Sequence, residues 1–203
     1  LFRFISYPFH MKARFVNYFS KISPLSEKEA QAISDSIRIE NFKKGTILLR
    51  EGQASIETYF VLEGCIREFV ETDGEERTTN FFTEDQWVIS LSNFNPQNPS
   101  SHNLICIEDC TLAVGNEKEA QKMFEQFPRF ETISRAIMED YFAEQKKLLT
   151  TFLTASPEQR YVKLLESRPD LFQRGPQELG VRELGGNPES LSRIRERITK
   201  NMT

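Results

Sequence analysis

The sequence predicts an α+β chain: an antiparallel β jelly roll or closed barrel flanked by helices, then one long helix, then a helix-turn-helix. Three observations carry this. From about Arg38 to Gly115 the apolar residues recur with period two, in short runs punctuated by Gly45, Gly52, Gly64 and Gly74. From Phe130 to Phe152 they recur at spacings of three and four without a break. Near the end, Gly185-Gly186-Asn187 separates two short helical stretches.

In chain order, Phe15, Val16 and Phe19 mark a short first helix within residues 12–36. Ser26 and Glu29 form a capping box that starts a second, with Ala30, Ile33 and Ile37 as its apolar stripe. The period then changes. Ile37/Ile39 and Ile47/Leu49 alternate, and Phe60-Val61-Leu62 and Cys65 to Val70 flank Gly64. Asp73-Gly74 is a hairpin turn with Arg77–Phe82 as its return strand. His102–Ile107 and Thr111–Val114 are two more strands, and Asn93–Ser101 is a loop. The expected units are a sensor-type domain over residues 1–127, a spine helix over 128–154 and a terminal domain over 155–203.

Glu117–Gln126 is helical, and Pro128 opens the long helix to about Leu153. About 26 residues span ~39 Å at the standard rise. Its seam of Phe130, Ile133, Ile137, Tyr141, Gln145, Leu148 and Phe152 is more apolar face than a barrel of this size requires, so it is expected to pair with its copy in a dimer. Ser156-Pro157-Glu158 caps the next helix, with Tyr161, Val162, Leu164 and Leu165 apolar, and Arg168-Pro169-Asp170 starts a short one. Asn187 caps, and Pro188 begins, the last helix, PESLSRIRERI. Leu191, Ile194 and Ile198 share one face, leaving Arg193, Arg195, Arg197, Ser190 and Ser192 on the others. Arg can bond a guanine edge bidentately and Ser can bond phosphates, so the stretch has the chemistry of a major-groove reader. The same pattern on its own also describes an amphipathic surface helix.

The chain has 203 residues and a net charge of -4, which argues against a protein coated in nucleic acid. The charge is uneven. Residues 1–154 carry 17 basic and 23 acidic side chains, whereas 155–203 carry 9 and 7. An acidic front with a mildly basic tail fits a regulatory domain ahead of a small DNA-contacting one. Cys65, Cys106 and Cys110 make no paired framework, which points to a reducing, cytoplasmic setting. No run approaches membrane-spanning length. The opening LFRFISYPFHMKARF has no continuous apolar core of a signal peptide, and Met11 is a plausible start. With no P-loop, nucleophile motif or His–carboxylate cluster, an enzyme is not expected. No cofactor or metal is expected either.

Lys44–Gly52 (KGTILLREG), Tyr59–Gly64 (YFVLEG) and Pro188–Arg195 (PESLSRIR), in this order, resemble the family of the cyclic-AMP receptor protein and the fumarate–nitrate regulators. The last run, with Glu158-Gln159-Arg160-Tyr161 and Leu164-Leu165-Glu166, is similar to the Bacteroidetes branch. The resemblance covers nearly the whole chain from Met11. It implies a cyclic-nucleotide-binding-like jelly roll, a dimerising helix and a winged helix-turn-helix. The implied role is a homodimeric transcription regulator that binds a palindromic DNA site, with RNA polymerase as a further partner. It also places base reading on Arg193 (guanine) and Glu189 (cytosine), with Pro188 where the wider family has an Arg. Ser190, Ser192, Arg195 and Arg197 are left for phosphates or secondary contacts.

The chain departs from the family in three places. The family's Gly-Glu-Leu and Arg-Ser/Thr-Ala cassette, whose Glu takes a ribose hydroxyl and whose Arg pairs with the cyclic phosphate, aligns with Ile89-Ser90-Leu91 and Ser101-His102-Asn103. Without a cation a buried phosphate would stay unpaired, so cyclic AMP is not the expected effector; His102 is either a substitute anion partner or, as a lone His near a loop more often is, structural or solvated, and the pocket is expected to hold another molecule or nothing. The clustered N-terminal Cys of an iron–sulfur regulator are missing, and Cys106-x3-Cys110 is read as buried thiols. Gly180 stands inside the first helix of the terminal pair, at about 0.5–1 kcal/mol relative to Ala, and Gly186 in its turn. These two glycines keep a second reading open: a ligand- or protein-binding module with a degenerate helix-turn-helix and no specific DNA binding.

Overall fold

The structure is a computed structural model that describes residues 2–90, 99–168 and 171. Two helices lead: α1 (Phe2–Ile22) and α2 (Glu27–Ser36). Eight strands follow: β1 (Arg38–Phe42), β2 (Ile47–Leu49), β3 (Glu57–Glu63), β4 (Ile66–Thr72), β5 (Glu75–Phe82), β6 (Trp87–Val88), β7 (Asn103–Cys106) and β8 (Cys110–Asn116). Helices α3 (Glu117–Gln126), α4 (Arg129–Thr154) and α5 (Pro157–Ser167) close the described chain.

The strands form two four-stranded antiparallel sheets, β1-β8-β3-β6 and β2-β7-β4-β5, packed as a sandwich. Alternation sorts the side chains. Val61, Leu112 and Val114 of the first sheet meet Ile66, Phe82 and Leu104 of the second in an inner core. Phe60, Leu62 and Ala113 face the other way, into a second core roofed by Met11 and Phe15 of α1, Ile33 of α2 and Phe130, Ile133 and Ile137 of α4. Burial on both faces is why YFVLE reads as a continuous apolar run and not as an alternation. T-shaped ring pairs of Phe15 with Phe60 (5.2 Å) and Trp87 (5.8 Å) hold α1 on this face.

The expected jelly roll is therefore present as an antiparallel sandwich with flanking helices. Helix α1 begins well before the expected position and runs through Pro8. Met11 and Phe15 anchor it, and propagation from an anchored turn is cheaper than nucleation. Strand β6 was not legible, being two residues whose pairing comes only from Tyr59 and Phe60 of β3. The Asp73-Gly74 turn is as expected, both residues adopting positive φ (56° and 78°). The capping box also forms: the Ser26 backbone N–H (2.7 Å) and hydroxyl (2.8 Å) donate to Glu29 Oε2, and the Ser26 hydroxyl accepts from the Glu29 N–H.

Glu29 does more than cap. Arg129, the first residue of α4, donates from Nη1 to both its carboxylate oxygens (3.1 and 3.2 Å) and from Nη2 to Ser23 Oγ and the Pro24 carbonyl. One ion pair thus pins the long helix to the α1–α2 turn. At the far end, Ser156 and Gln159 form a reciprocal cap on α5. Arg160 reaches back to the Phe152 carbonyl (2.9 Å) and over its ring. Beyond α5, Arg168 donates to the Phe81 carbonyl (2.9 Å) and Thr83 Oγ1 (3.0 Å) at the edge strand β5, and Leu171 packs against buried Cys65, Phe81 and Ile107. The terminal helix pair expected beyond this point lies outside the described residues.

Gly64 and Gly74 offer a test of the turn geometry. Gly64 has φ +101°, and a Cβ there would come within 2.7 Å of the Asp109 carbonyl oxygen and of Cys110 Sγ; at Gly74 (φ +78°) a Cβ meets nothing within 4 Å. Gly64→Ala should cost roughly 2–5 kcal/mol, backbone strain and clash together, and Gly74→Ala only about 1–2 kcal/mol. Urea unfolding checks the difference, and equal losses would contradict it.

Hydrogen bonds from the Ser26 backbone and hydroxyl, and then the Arg129 guanidinium, hold Glu29 below the ordinary carboxylate range. A depressed carboxylate adds stability that is whole above the unfolded value and is lost as pH falls through the folded one. The melting temperature of Glu29→Gln should therefore lie below that of the parent at neutral pH, with the gap closing under acid. A gap independent of pH would show that the charge is not its source.

Candidate functional site

The site begins at the end of β6, where Ile89 and Ser90 follow the edge of the first sheet. Leu91, the third residue of that expected triplet, lies outside the described residues. The other half of the expected pocket precedes β7 and is a local hydrogen-bonded unit. The Ser100 hydroxyl, buried, donates to the His102 carbonyl (2.9 Å) and accepts from the His102 N–H (3.1 Å). Ser101 Oγ lies 2.9 Å from His102 Nδ1. Backbone bonds Ser100 N–H to Gln53 and Gly52 N–H to Ser100 tie this unit to the β2–β3 turn. Ser100, which sequence reasoning passed over, organises Ser101 and His102; its position after Pro99 was the available signal.

Helix α4 supplies the residue that joins the site to the rest of the fold. Phe130, Ile133 and Ile137 of the expected seam are buried in the outer core of their own chain. Tyr141, one turn on, packs instead against the inner core, and its hydroxyl donates to the Ile89 carbonyl (3.2 Å). Burial, with the nearby Glu68 charge, pushes its phenol up to about 12, so it stays a donor. Beyond it the apolar residues are open: Phe142 is 59 % exposed, Leu149 58 %, Leu153 73 %, and Leu148 and Phe152 about half. The single seam read from the sequence is two faces in succession, one on the barrel and one uncovered among the described residues.

Glu68 accepts from Thr79 Oγ1 (2.7 Å). Arg67 is the buried arginine among the described residues, 5 % exposed, but its guanidinium is committed. Nε donates to Thr78 Oγ1 (2.9 Å), Nη2 to Glu76 Oε2 (2.8 Å), and the group lies 4.4 Å from the Phe69 ring centre. It neighbours Glu68 in sequence and so projects from the opposite face of β4. Cys65, Cys106 and Cys110 are buried thiols outside any disulfide. A hydrogen bond to Cys110, and then burial, raise the Cys106 thiol, which keeps it neutral. Among the described residues no group of His, Cys, Asp and Glu could hold a metal, and no helix is long and apolar enough to cross a membrane. Glu189, Ser190, Ser192, Arg193, Arg195 and Arg197 lie outside the described residues.

Residues 39–127 match the family model of the cyclic nucleotide-binding domain. No curated protein matches the chain. Among solved structures, it is similar to the c-di-GMP responsive global regulator CLP of Xanthomonas campestris, at 14% identity and TM-score 0.66 over 87% of this chain and 93% of that one. A putative transcriptional regulator of the crp/fnr family from Eubacterium rectale is 18% identical, with TM-score 0.66 over 91% and 88%. The catabolite activator protein of Thermus thermophilus is 17% identical, with TM-score 0.53 over 91% and 87%. At these identities the likeness is one of fold.

Proposed function

We propose, from a barrel that matches the cyclic nucleotide-binding domain, that the chain is a dimeric DNA-binding transcription regulator with an effector other than a cyclic nucleotide. The observation that carries this reading is the division of α4. Its first half is consumed by its own barrel, and its second half carries Phe142, Leu148, Leu149, Phe152 and Leu153 with no covering element among the described residues. Five large apolar side chains on one helix end are more than an isolated surface helix exposes, and a second copy of the same helix fits that face. The regulators similar in fold are named for gene expression and catabolite activation, and PESLSRIRERI has the residues of a groove reader.

The effector reading follows from charge. A cyclic phosphate needs a buried cation, since leaving it unpaired is costly. Ser90 and the Ser101-His102 unit replace the carboxylate and guanidinium of the resembling family, and Arg67 is held by Glu76 and Thr78. In the terminal helix Arg193 and Glu189 are the base readers and Ser190, Ser192, Arg195 and Arg197 the backbone contacts.

Random-site selection with the full chain should recover a two-fold symmetric sequence, and Arg193→Ala should weaken binding to it roughly ten- to hundredfold while relaxing preference at one base pair per half-site. Recovery of no preferred sequence would favour a binding module with a degenerate helix-turn-helix.

Changing Leu149 and Leu153 together to Glu should convert the dimer to a folded monomer in sedimentation and abolish selective DNA binding. A double variant that still sediments as a dimer would place the interface elsewhere.

A further inference from the structure

After α5 the chain returns to the barrel. A turn joins Arg168 to Leu171, whose N–H donates to the Arg168 carbonyl (3.2 Å). Leu171 packs against the cluster of Cys65, Phe81 and Ile107. Arg168 donates from Nη1 to the Phe81 carbonyl (2.9 Å) and from Nη2 to Thr83 Oγ1 (3.0 Å). Strand β5 is the edge of its sheet, and side chains take the main-chain groups of Phe81 there: the N–H donates to Asn80 Oδ1 (2.8 Å) and the carbonyl accepts from Arg168. The seat is wired into the barrel. Phe82, next to Phe81, points the other way into the core between the sheets. Thr83 opens the β5–β6 turn, and its N–H donates to Gln86 Oε1 (2.8 Å). The same turn is bonded to β3 through the Asp85 N–H on the Val61 carbonyl (2.9 Å) and the Val61 N–H on the Gln86 carbonyl (3.0 Å). Arg14 of α1 holds the Asp85 carboxylate (3.0 Å). The turn that Arg168 grips therefore answers to the inner core, to β3 and to α1.

We propose that the outer face of the second sheet beside β5 is a docking seat for the chain's own segment at Arg168 and Leu171, that this segment moves on and off the seat, and that the β5–β6 turn sets how long it stays. The seat takes a guanidinium on a carbonyl and a hydroxyl, and beside it a branched aliphatic side chain on an apolar cluster. The grip is light. Both acceptors of Arg168 are neutral and it makes no ion pair among the described residues, whereas Arg129 at the head of α4 sits on the Glu29 carboxylate. Leu171 is only partly buried. A contact of this size belongs to the low end of the range of local stabilities, from which moving elements are drawn. Docked, the segment ties the chain after α5 to its own barrel; undocked, the tie runs through α5 and α4 alone. A change in the inner core that shifts Phe82 or the turn alters the Phe81 and Thr83 acceptors, and so the docking equilibrium. The inference goes beyond the regulator reading and does not depend on it.

The test uses the full chain and its own thiols as reporters. Cys65 belongs to the cluster that Leu171 packs against, whereas Cys106 and Cys110 belong to the core between the sheets. Alkylation by iodoacetamide is mapped by mass spectrometry, each thiol's rate being scaled to its rate in urea. Cys65 should react about tenfold faster than Cys106 or Cys110, because opening of the seat uncovers Cys65 and leaves the inner core closed. Arg168→Ala should raise the Cys65 rate about fivefold further and leave the other two unchanged. Gln86→Ala does not touch Arg168 but removes the acceptor of the Thr83 N–H, and it should raise the Cys65 rate in the same selective way. Equal scaled rates for the three thiols in the unaltered protein would overturn the proposal. So would a Cys65 rate indifferent to either substitution, or a rise shared by all three thiols. If Arg168→Ala does not fold, Arg168→Lys, which keeps the charge and loses the two-pronged donor, is read by the same criteria. None of these readouts involves DNA, so their failure leaves site selection to judge the regulator reading separately.

Discussion

The hydroxyl of Tyr141 on the carbonyl of Ile89, over the apolar contact beneath it, divides the molecule in two. Up to that bond α4 belongs to the barrel, and its apolar side chains are spent on the core of their own chain. After it the same helix carries large apolar residues that nothing covers among the described residues. A 26-residue helix is stiff, so a constraint at its middle and an ion pair at its start leave its far half little choice of direction. Arg129 on Glu29 provides that second point, reinforced by the Ser23 and Pro24 acceptors.

The barrel supplies the fixed end of this lever. Its inner core is continuous between the sheets and its outer core is roofed by helices from both sides of the strand region in sequence, α1 and α2 before it and α4 after. This arrangement makes the first half of α4 part of the barrel's own core and not an appendage. The return of Arg168 and Leu171 to the outer face of the second sheet adds a contact from the opposite end of the chain. Thus both sheets are touched by elements that follow the strands in sequence.

Much of the fold was legible because local chemistry and tertiary structure agree. The Ser26–Glu29 box, the Asp73-Gly74 turn, the bounds of α3 and the length of α4 are each set by interactions a few residues apart, and these appear in the sequence as spacing. Strand β6 was not legible, because two residues have no period. The start of α1 was not either, because its anchor is the distant sheet. At the candidate site the sequence singled out Ile89, Ser90, Ser101 and His102. It did not announce Tyr141, which by spacing alone is one more seam residue.

The amino-acid sequence by itself determined the class of the barrel and the order of the elements around it, since periodicity, caps and turns are local properties of the chain. Only the tertiary structure decided which apolar residues of α4 are core and which are uncovered among the described residues. Helical spacing shows that Phe130, Ile133, Ile137, Tyr141, Leu148 and Phe152 share a face; it cannot show where the barrel beneath that face ends. That limit is set by the width of the first sheet and the shortness of its edge strand, which arise from pairings between residues far apart in sequence.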